Sequence, residues 1–196
     1  SYRKIQGLSK KVYEANITLF NAFKKSDNDK RGRYFLERYI SAHALMIAFE
    51  GVPAIYFNSI FGTSNDEHKY IISGNKRDLN RYKWNKKKLE NLLKDKDSKE
   101  SIFYKKIMKL LAIKMQNKAF HPNAKRVNLN LGKKVFGFKR ISLDKKQTIF
   151  NITNLSSKQQ KLNFGKKFEN YKHLLSKSKT SRYLILQPFE TLWLSN

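Results

Sequence analysis

The sequence predicts two architectures in series: the last part of an α/β layer of the kind found in parallel sheets and barrels, then an all-β domain of short antiparallel strands. Three observations predict it. The apolar pattern changes near Phe120, from helical spacing before it to short alternating segments after it. Val52-Pro53-Ala54-Ile55-Tyr56-Phe57 is an unbroken apolar run, the pattern of a strand covered on both faces. That run lies between two helical stretches, so the first part amounts to one βα unit with an extra helix ahead of it, where a closed barrel is a full ring of such units. The expected division is residues 1–118 for the α/β barrel part and 119–196 for the antiparallel β domain, with the N-terminal side of the barrel cut away.

Each element has its own signal. Ser26 with Asp29 three residues on has the form of a capping box, and Phe35, Leu36, Tyr39, Ile40, Ala44 and Ile47 then recur at helical spacing. Gly51 and Pro53 end that helix, and the apolar strand follows at once. Residues 58–85 read as one long polar loop containing Gly62, Asn65-Asp66 and Gly74. Loops of that length inside compact domains are usually functional, so the site is expected there. A second helix is predicted over Ser101–Asn117, with Phe103, Ile107, Leu110, Leu111 and Ile113 inward. Strands are predicted over Arg126–Leu131, Val135–Arg140, Gln147–Asn151, Gln160–Phe164, Tyr183–Leu186 and Leu192–Leu194, with Gly132-Lys133 and Asp144-Lys145 as turns.

Composition narrows the function classes. The absence of Cys removes disulfide scaffolds, thiol nucleophiles and Cys-ligated zinc. No charged-then-apolar leader opens the sequence, and the longest apolar run, Ala44 to Phe49, is far shorter than a membrane span; the expectation is a soluble, cytoplasmic chain. The formal charge of +27, from 42 Lys and Arg against 15 Asp and Glu, points toward a polyanion partner. The excess is mostly Lys and is scattered along the chain, whereas base and phosphate readers favour clustered Arg forks. A nucleic-acid-binding module therefore stands as the alternative reading, and a partner-binding barrel remnant without activity as a third. No His pair has metal-ligand spacing, and neither a metal nor a cofactor is expected.

Four stretches carry a resemblance. Gly51 to Phe57, then Phe61-Gly62-x-x-Asn65-Asp66, then Gly74-x-x-Arg77-Asp78-Leu79-Asn80-Arg81, resemble the last barrel strand and following loop of the sucrose phosphorylase group in the α-amylase superfamily. Tyr13-Glu14-x-Asn16-Ile17-Thr18-x-Phe20-x-Ala22 is similar to the segment after the seventh-strand loop in that group. Ala119-Phe120-His121-Pro122-Asn123-Ala124 is similar to its junction with the C-terminal β domain, and Leu186-Gln187-Pro188-x-Glu190-Thr191-x-Trp193-Leu194 to its final hairpin. The resemblance implies a retaining glucosyltransferase that moves glucose from an α-glucoside to inorganic phosphate or another acceptor. Such chemistry uses a nucleophilic carboxylate and a carboxylic acid/base about 5–5.5 Å apart. In the group these groups stand at earlier strand ends, upstream of Ser1, so no catalytic residue is assigned within this chain, which is expected to be inactive without the missing barrel strands.

The resemblance places substrate-binding residues on the loop. Arg77 is the first of them, reaching the sugar pocket from the end of the strand; the bland reading is an Arg that braces its own loop through Asp66 or Asp78. Asn65, Asp66, Asn80 and Arg81 accompany it, with loop bracing through backbone hydrogen bonds as their alternative role. Asn58 stands where the group commonly has His. His43 reads as a core histidine, His68 as a solvated loop residue, and His121 as the cap of a turn. Tyr82 and Trp84 are expected to pack against the second helix or to stack on sugar.

Overall fold

The computed structural model describes residues 2–5, 8–12, 14–27, 29–166, 169–176 and 180–196, with the backbone alone for the strands of residues 2–5 and 8–12. The chain divides into two compact units, one of residues 1–25 and 55–104, the other of residues 26–54 and 105–196. No helix among the described residues is long and apolar enough to cross a membrane.

The first unit opens with an antiparallel hairpin, β1 (Tyr2–Ile5) and β2 (Leu8–Val12), which no sequence signal announced. Short helices follow: α1 (Leu19–Phe23), α3 (Phe57–Ile60), α4 (Glu67–Ser73) and α5 (Lys86–Lys94). A 3-10 turn, Lys76–Asn80, lies between α4 and α5. The expected featureless loop over residues 58–85 is thus subdivided, and its own polar residues do it. Asp66 accepts from the Lys69 amide at 3.0 Å, Asn75 from the Arg77 amide at 3.1 Å and Asn85 from the Lys88 amide at 3.0 Å, each satisfying a donor that a helix start leaves orphaned. Gly74 closes α4 in the left-handed region, with φ of 63°. The apolar centre holds Phe61, Leu89 and Phe103, with Phe61 stacked on Tyr104 and Phe20 tilted against Phe103. Gly62 has φ of 59°, and a Cβ there would meet the Phe103 ring at 2.7 Å, so glycine is required by both backbone and space.

The apolar run Val52–Phe57 corrects the expectation. Residues 52–56 belong to no sheet and no helix, with Tyr56 extended, and Phe57 opens α3. Val52 is 82% exposed and Tyr56 56%. The reason is that a strand exists only as a member of a ladder, and no described strand pairs with this segment.

In the second unit α2 (Phe35–Ala48) buries Tyr39, His43, Ala44 and Ile47, the predicted face. Its start is not the predicted capping box. Ser26 and Asp29 form an isolated bridge, and the helix begins nearer Phe35. The Asp29 carboxylate instead accepts from the Arg33 and Tyr34 amides, both at 2.8 Å, and pairs with Arg38 one turn into the helix. Burial works against its ionisation, but these donors outweigh it and hold the carboxyl below its ordinary value. The second predicted helix is α6 (Lys99–Gln116), followed by a 3-10 turn, Lys118–Phe120.

Five strands then form one antiparallel sheet in the order β3-β4-β5-β9-β7: β3 (Lys125–Leu129), β4 (Val135–Ile141), β5 (Thr148–Asn154), β9 (Thr191–Ser195) and β7 (Lys172–His173). β6 (Gln160–Asn163) and β8 (Tyr183–Leu186) make a separate pair. Six of these seven strands answer the predicted six. Ile149 to Asn154 are all buried, because the sheet is covered on both sides. On one side lie Val135, Phe150, Ile152, Leu184, Leu186, Leu192 and Leu194, each full burial stabilising by about 1.5–3 kcal/mol. On the other lie α2 and the turn carrying Phe120, whose ring is 4.8 Å from that of Trp193.

Candidate functional site

The subdivided loop brings the predicted residues into three groups rather than one. Arg77 and Arg81 converge on a single carboxylate, Glu14: Arg77 Nε donates to it at 3.0 Å, and an Arg81 nitrogen lies 3.8 Å from its other oxygen. The expected bracing partners of Arg77, Asp66 and Asp78, are engaged elsewhere. Asp66 caps α4, and its amide donates to the Leu79 carbonyl at 2.8 Å. Asp78 pairs with Lys69 at 3.2 Å; a hydrogen bond from Ser73 and the Lys69 and Lys83 ammonium groups hold its carboxyl below the ordinary range.

Asn65 and Asp66 border a cleft of about 300 Å³ with Ser64, Glu67, His68, Tyr82, Trp84, Lys99 and Glu100. Asn65 is also a brace: its Oδ1 accepts from the Thr18 amide at 2.8 Å and hydroxyl at 3.0 Å, and its amide donates to Asn21 Oδ1 at 2.9 Å. Trp84 donates from its indole to the Thr63 hydroxyl at 3.2 Å and meets Tyr82 and Phe61 edge to face, so its packing partners are loop aromatics. Lys99 lies between Ser64 and Glu100 with its ammonium 4.4 Å from the Phe20 ring. Carboxylates, an imidazole and an ammonium beside two aromatic rings suit a polyhydroxy ligand, whose hydroxyls pair with the polar groups while its C–H faces rest on rings. Asn80 belongs to neither group. It borders a smaller cavity together with Asn58.

Glu14 stands in one of the resembling stretches but carries no local signal of a site residue, since it lies 63 residues from Arg77 and no local pattern announces such a pair. Tyr13 of the same motif lies outside the described residues. In the second unit His43 is 2% exposed with Nδ1 2.8 Å from the Tyr39 carbonyl, and burial holds it below the ordinary histidine pKa. His121 Nδ1 accepts from the Asn123 amide at 3.1 Å, which caps the turn before β3. His68 is exposed. Among the described residues no cluster of three or more His, Asp or Glu has the arrangement of a metal site.

No protein-family model matches the chain. It is 33% identical over 112 residues to a glucosylglycerate phosphorylase of Allomeiothermus silvanus, a match covering 57% of this chain and 20% of that protein. It is 32% identical over 111 residues to the glucosylglycerate phosphorylase of Escherichia coli, with the same coverage. A third, from Spirochaeta thermophila, is 27% identical over 152 residues, 78% of this chain and 26% of that protein. The chain thus spans about a fifth to a quarter of the length of the curated relatives it matches. Among solved structures it is similar in fold to Bacillus licheniformis trehalose-6-phosphate hydrolase, with a TM-score of 0.62 and 12% identity over 93% of this chain and 42% of that one. It is also similar to a maltogenic amylase from S. marinus, with a TM-score of 0.57 and 19% identity over 81% of this chain and 19% of that one. The sequence resemblance is thus to glucosylglycerate phosphorylases, and the fold resemblance is to a trehalose-6-phosphate hydrolase and an amylase. These relatives lend no support to the nucleic-acid-binding alternative, and they name glucosylglycerate, not sucrose, within the group that the motifs resemble.

Proposed function

We propose that this chain is the C-terminal portion of a retaining α-glucoside phosphorylase that acts on a glucosylglycerate-type substrate in the cytoplasm, with residues 1–118 completing its barrel and 119–196 forming its β domain. The observation that carries this reading is the convergence of Arg77 and Arg81 on one carboxylate. Two guanidinium groups within reach of one anion suit either anionic participant, the glycerate carboxylate of the donor or the attacking phosphate, because charge-assisted forks orient such oxygens as well as attract them. Glu14 orients both cations and offsets one of their two charges, leaving the cluster with a net positive charge. Asn65, Asp66 and Asn80 act mainly by fixing the loop on which these arginines ride.

In this reading the glucosyl group leaves the glycerate oxygen for an enzyme carboxylate while a carboxylic acid protonates that oxygen; phosphate then displaces the carboxylate, giving an α-glucosyl phosphate. Both carboxyl groups lie on barrel strands that precede this chain. The test is phosphate-dependent release of glucosyl phosphate from glucosylglycerate. The 196-residue chain alone is expected to give none, and the longest polypeptide its gene encodes is expected to turn over. Arg77→Lys in that longer protein is expected to lower kcat/KM by about tenfold or more, the loss of one charged hydrogen bond. Turnover by the short chain, or an Arg77→Lys variant with unchanged kinetics, overturns the proposal.

A further inference from the structure

The first unit holds a small cavity of about 50 Å³, bordered by Asn58, Asn80, Thr18, Tyr56, Ser59 and Thr63. Asn58 is 3% exposed. Its Nδ2 donates to the Tyr82 carbonyl at 3.0 Å and toward the Tyr56 hydroxyl at 3.4 Å. Those bonds fix which way the amide faces, since turning it over would set oxygen against the Tyr82 carbonyl. Its Oδ1 is consequently committed to the other side, buried and without a donor among the described residues; Asn80 Oδ1 is buried and without a donor as well. Two residues bordering one cavity thus each carry a buried amide oxygen without a donor, a pair that a folded chain leaves unsatisfied only at a substantial cost.

Size selects the donor. A water needs about 10–15 Å³ of such volume, so the cavity admits water and excludes a sugar ring. An alkali cation would suit oxygen ligands, but the lining carries no carboxylate and the chain has a formal charge of +27. We propose that this cavity is a built hydration site in which one water donates to both Asn58 Oδ1 and Asn80 Oδ1, and that Asn58 thereby positions the turn carrying Arg77. Asn58 then grips the chain twice, directly at Tyr82 and through water at Asn80. Arg81 sits between those two points, and Arg77 lies on the turn that Asn80 ends.

A high-resolution crystal structure of the unmodified chain is expected to contain an ordered solvent peak within hydrogen-bond distance of both oxygens, unchanged when rubidium replaces the other alkali ions of the buffer. Absence of the peak, or an anomalous rubidium signal at it, overturns the proposal. Hydrogen exchange supplies the second arm. Asn80→Leu is expected to speed exchange of the amides from Lys76 to Tyr82 by about tenfold, the loss of one hydrogen bond, and Asn58→Leu, which also removes the bond to the Tyr82 carbonyl, by more. The double variant is expected to exchange little faster than the faster single one, because both substitutions remove the same bridge. Effects that simply multiply would mean two independent contacts and would overturn it.

Discussion

The sheet of the second unit and the loop of the first unit bury polar groups by opposite means. In the sheet, partners come from far along the chain. Arg140, fully buried, donates to the carbonyls of Ala48 at 2.6 Å, His121 at 2.7 Å and Ala124 at 3.1 Å. The Trp193 indole donates to Asn151 Oδ1 at 2.8 Å, and Ser41 of α2 bonds to the Phe189 carbonyl and to Thr191, which is 2.9 Å from Thr153. In the loop the donors are mostly backbone amides and the acceptors are the short side chains of Thr18, Asn65, Asp66, Asn75 and Asn85, many of them within a few residues. The difference teaches where damage spreads. Removing a sheet partner opens a cavity inside a ladder that all five strands share, whereas removing a loop acceptor frees one turn.

Substitutions sharpen that contrast. The largest loss is expected for Trp193→Ala, about 3–5 kcal/mol from the volume removed at a fully buried position. Urea unfolding followed by circular dichroism measures it; a loss below about 1 kcal/mol would erase the distinction between the regions. Asn65→Ala comes next, at about 1–3 kcal/mol, since it strips the acceptor from the Thr18 amide and leaves the Thr18 hydroxyl with Asn21 alone. Its signature is local: exchange at the Thr18 amide quickens while amides of β4 and β5 keep their protection. Equal quickening in the sheet would refute the local character assigned to the loop.

Asp144 gives the smallest effect and a pH signature, because it braces a sheet turn in the manner of the loop. It accepts from the Ser142 hydroxyl at 2.6 Å, the Lys146 amide at 3.1 Å and Lys118 at 3.2 Å, and these bonds draw its carboxyl down to about 2. A depressed carboxyl stabilises the fold above its unfolded value, about 3.9, and that contribution is lost as pH falls from there through about 2. Asp144→Asn is therefore expected to lower the melting temperature at pH 6 and to converge with the unsubstituted protein near pH 2. A gap that stays constant across that range would show that ionisation has no part in the turn.

The second unit was the more legible. β6 and β8 alternate, and the turn before β4 carries Gly132 with φ of 84°, as a left-handed position favours, while the turn before β5 puts Lys145 there with φ of 58°. Among the described strands of this unit, the two-residue β7 alone went unpredicted, too short to show any period. Helices α2 and α6 were legible from apolar spacing, but the start of α2 was not, because Asp29 serves it from the preceding turn. The short helices of the first unit are below the length at which periodicity is visible, and their caps read as ordinary loop residues until the backbone is seen.

The sequence by itself determined the local grammar of this protein: two long helices, six strands, the punctuation between them, and four motifs that tie it to the phosphorylase-type relatives. Tertiary structure alone decided that Glu14 gathers Arg77 and Arg81, that Asn58 and Asn80 face one cavity, and that Val52 to Tyr56 stay outside any sheet. Spacing along a chain encodes the face a residue presents on its own element; which distant residue meets that face depends on how whole elements pack, and no local pattern records it.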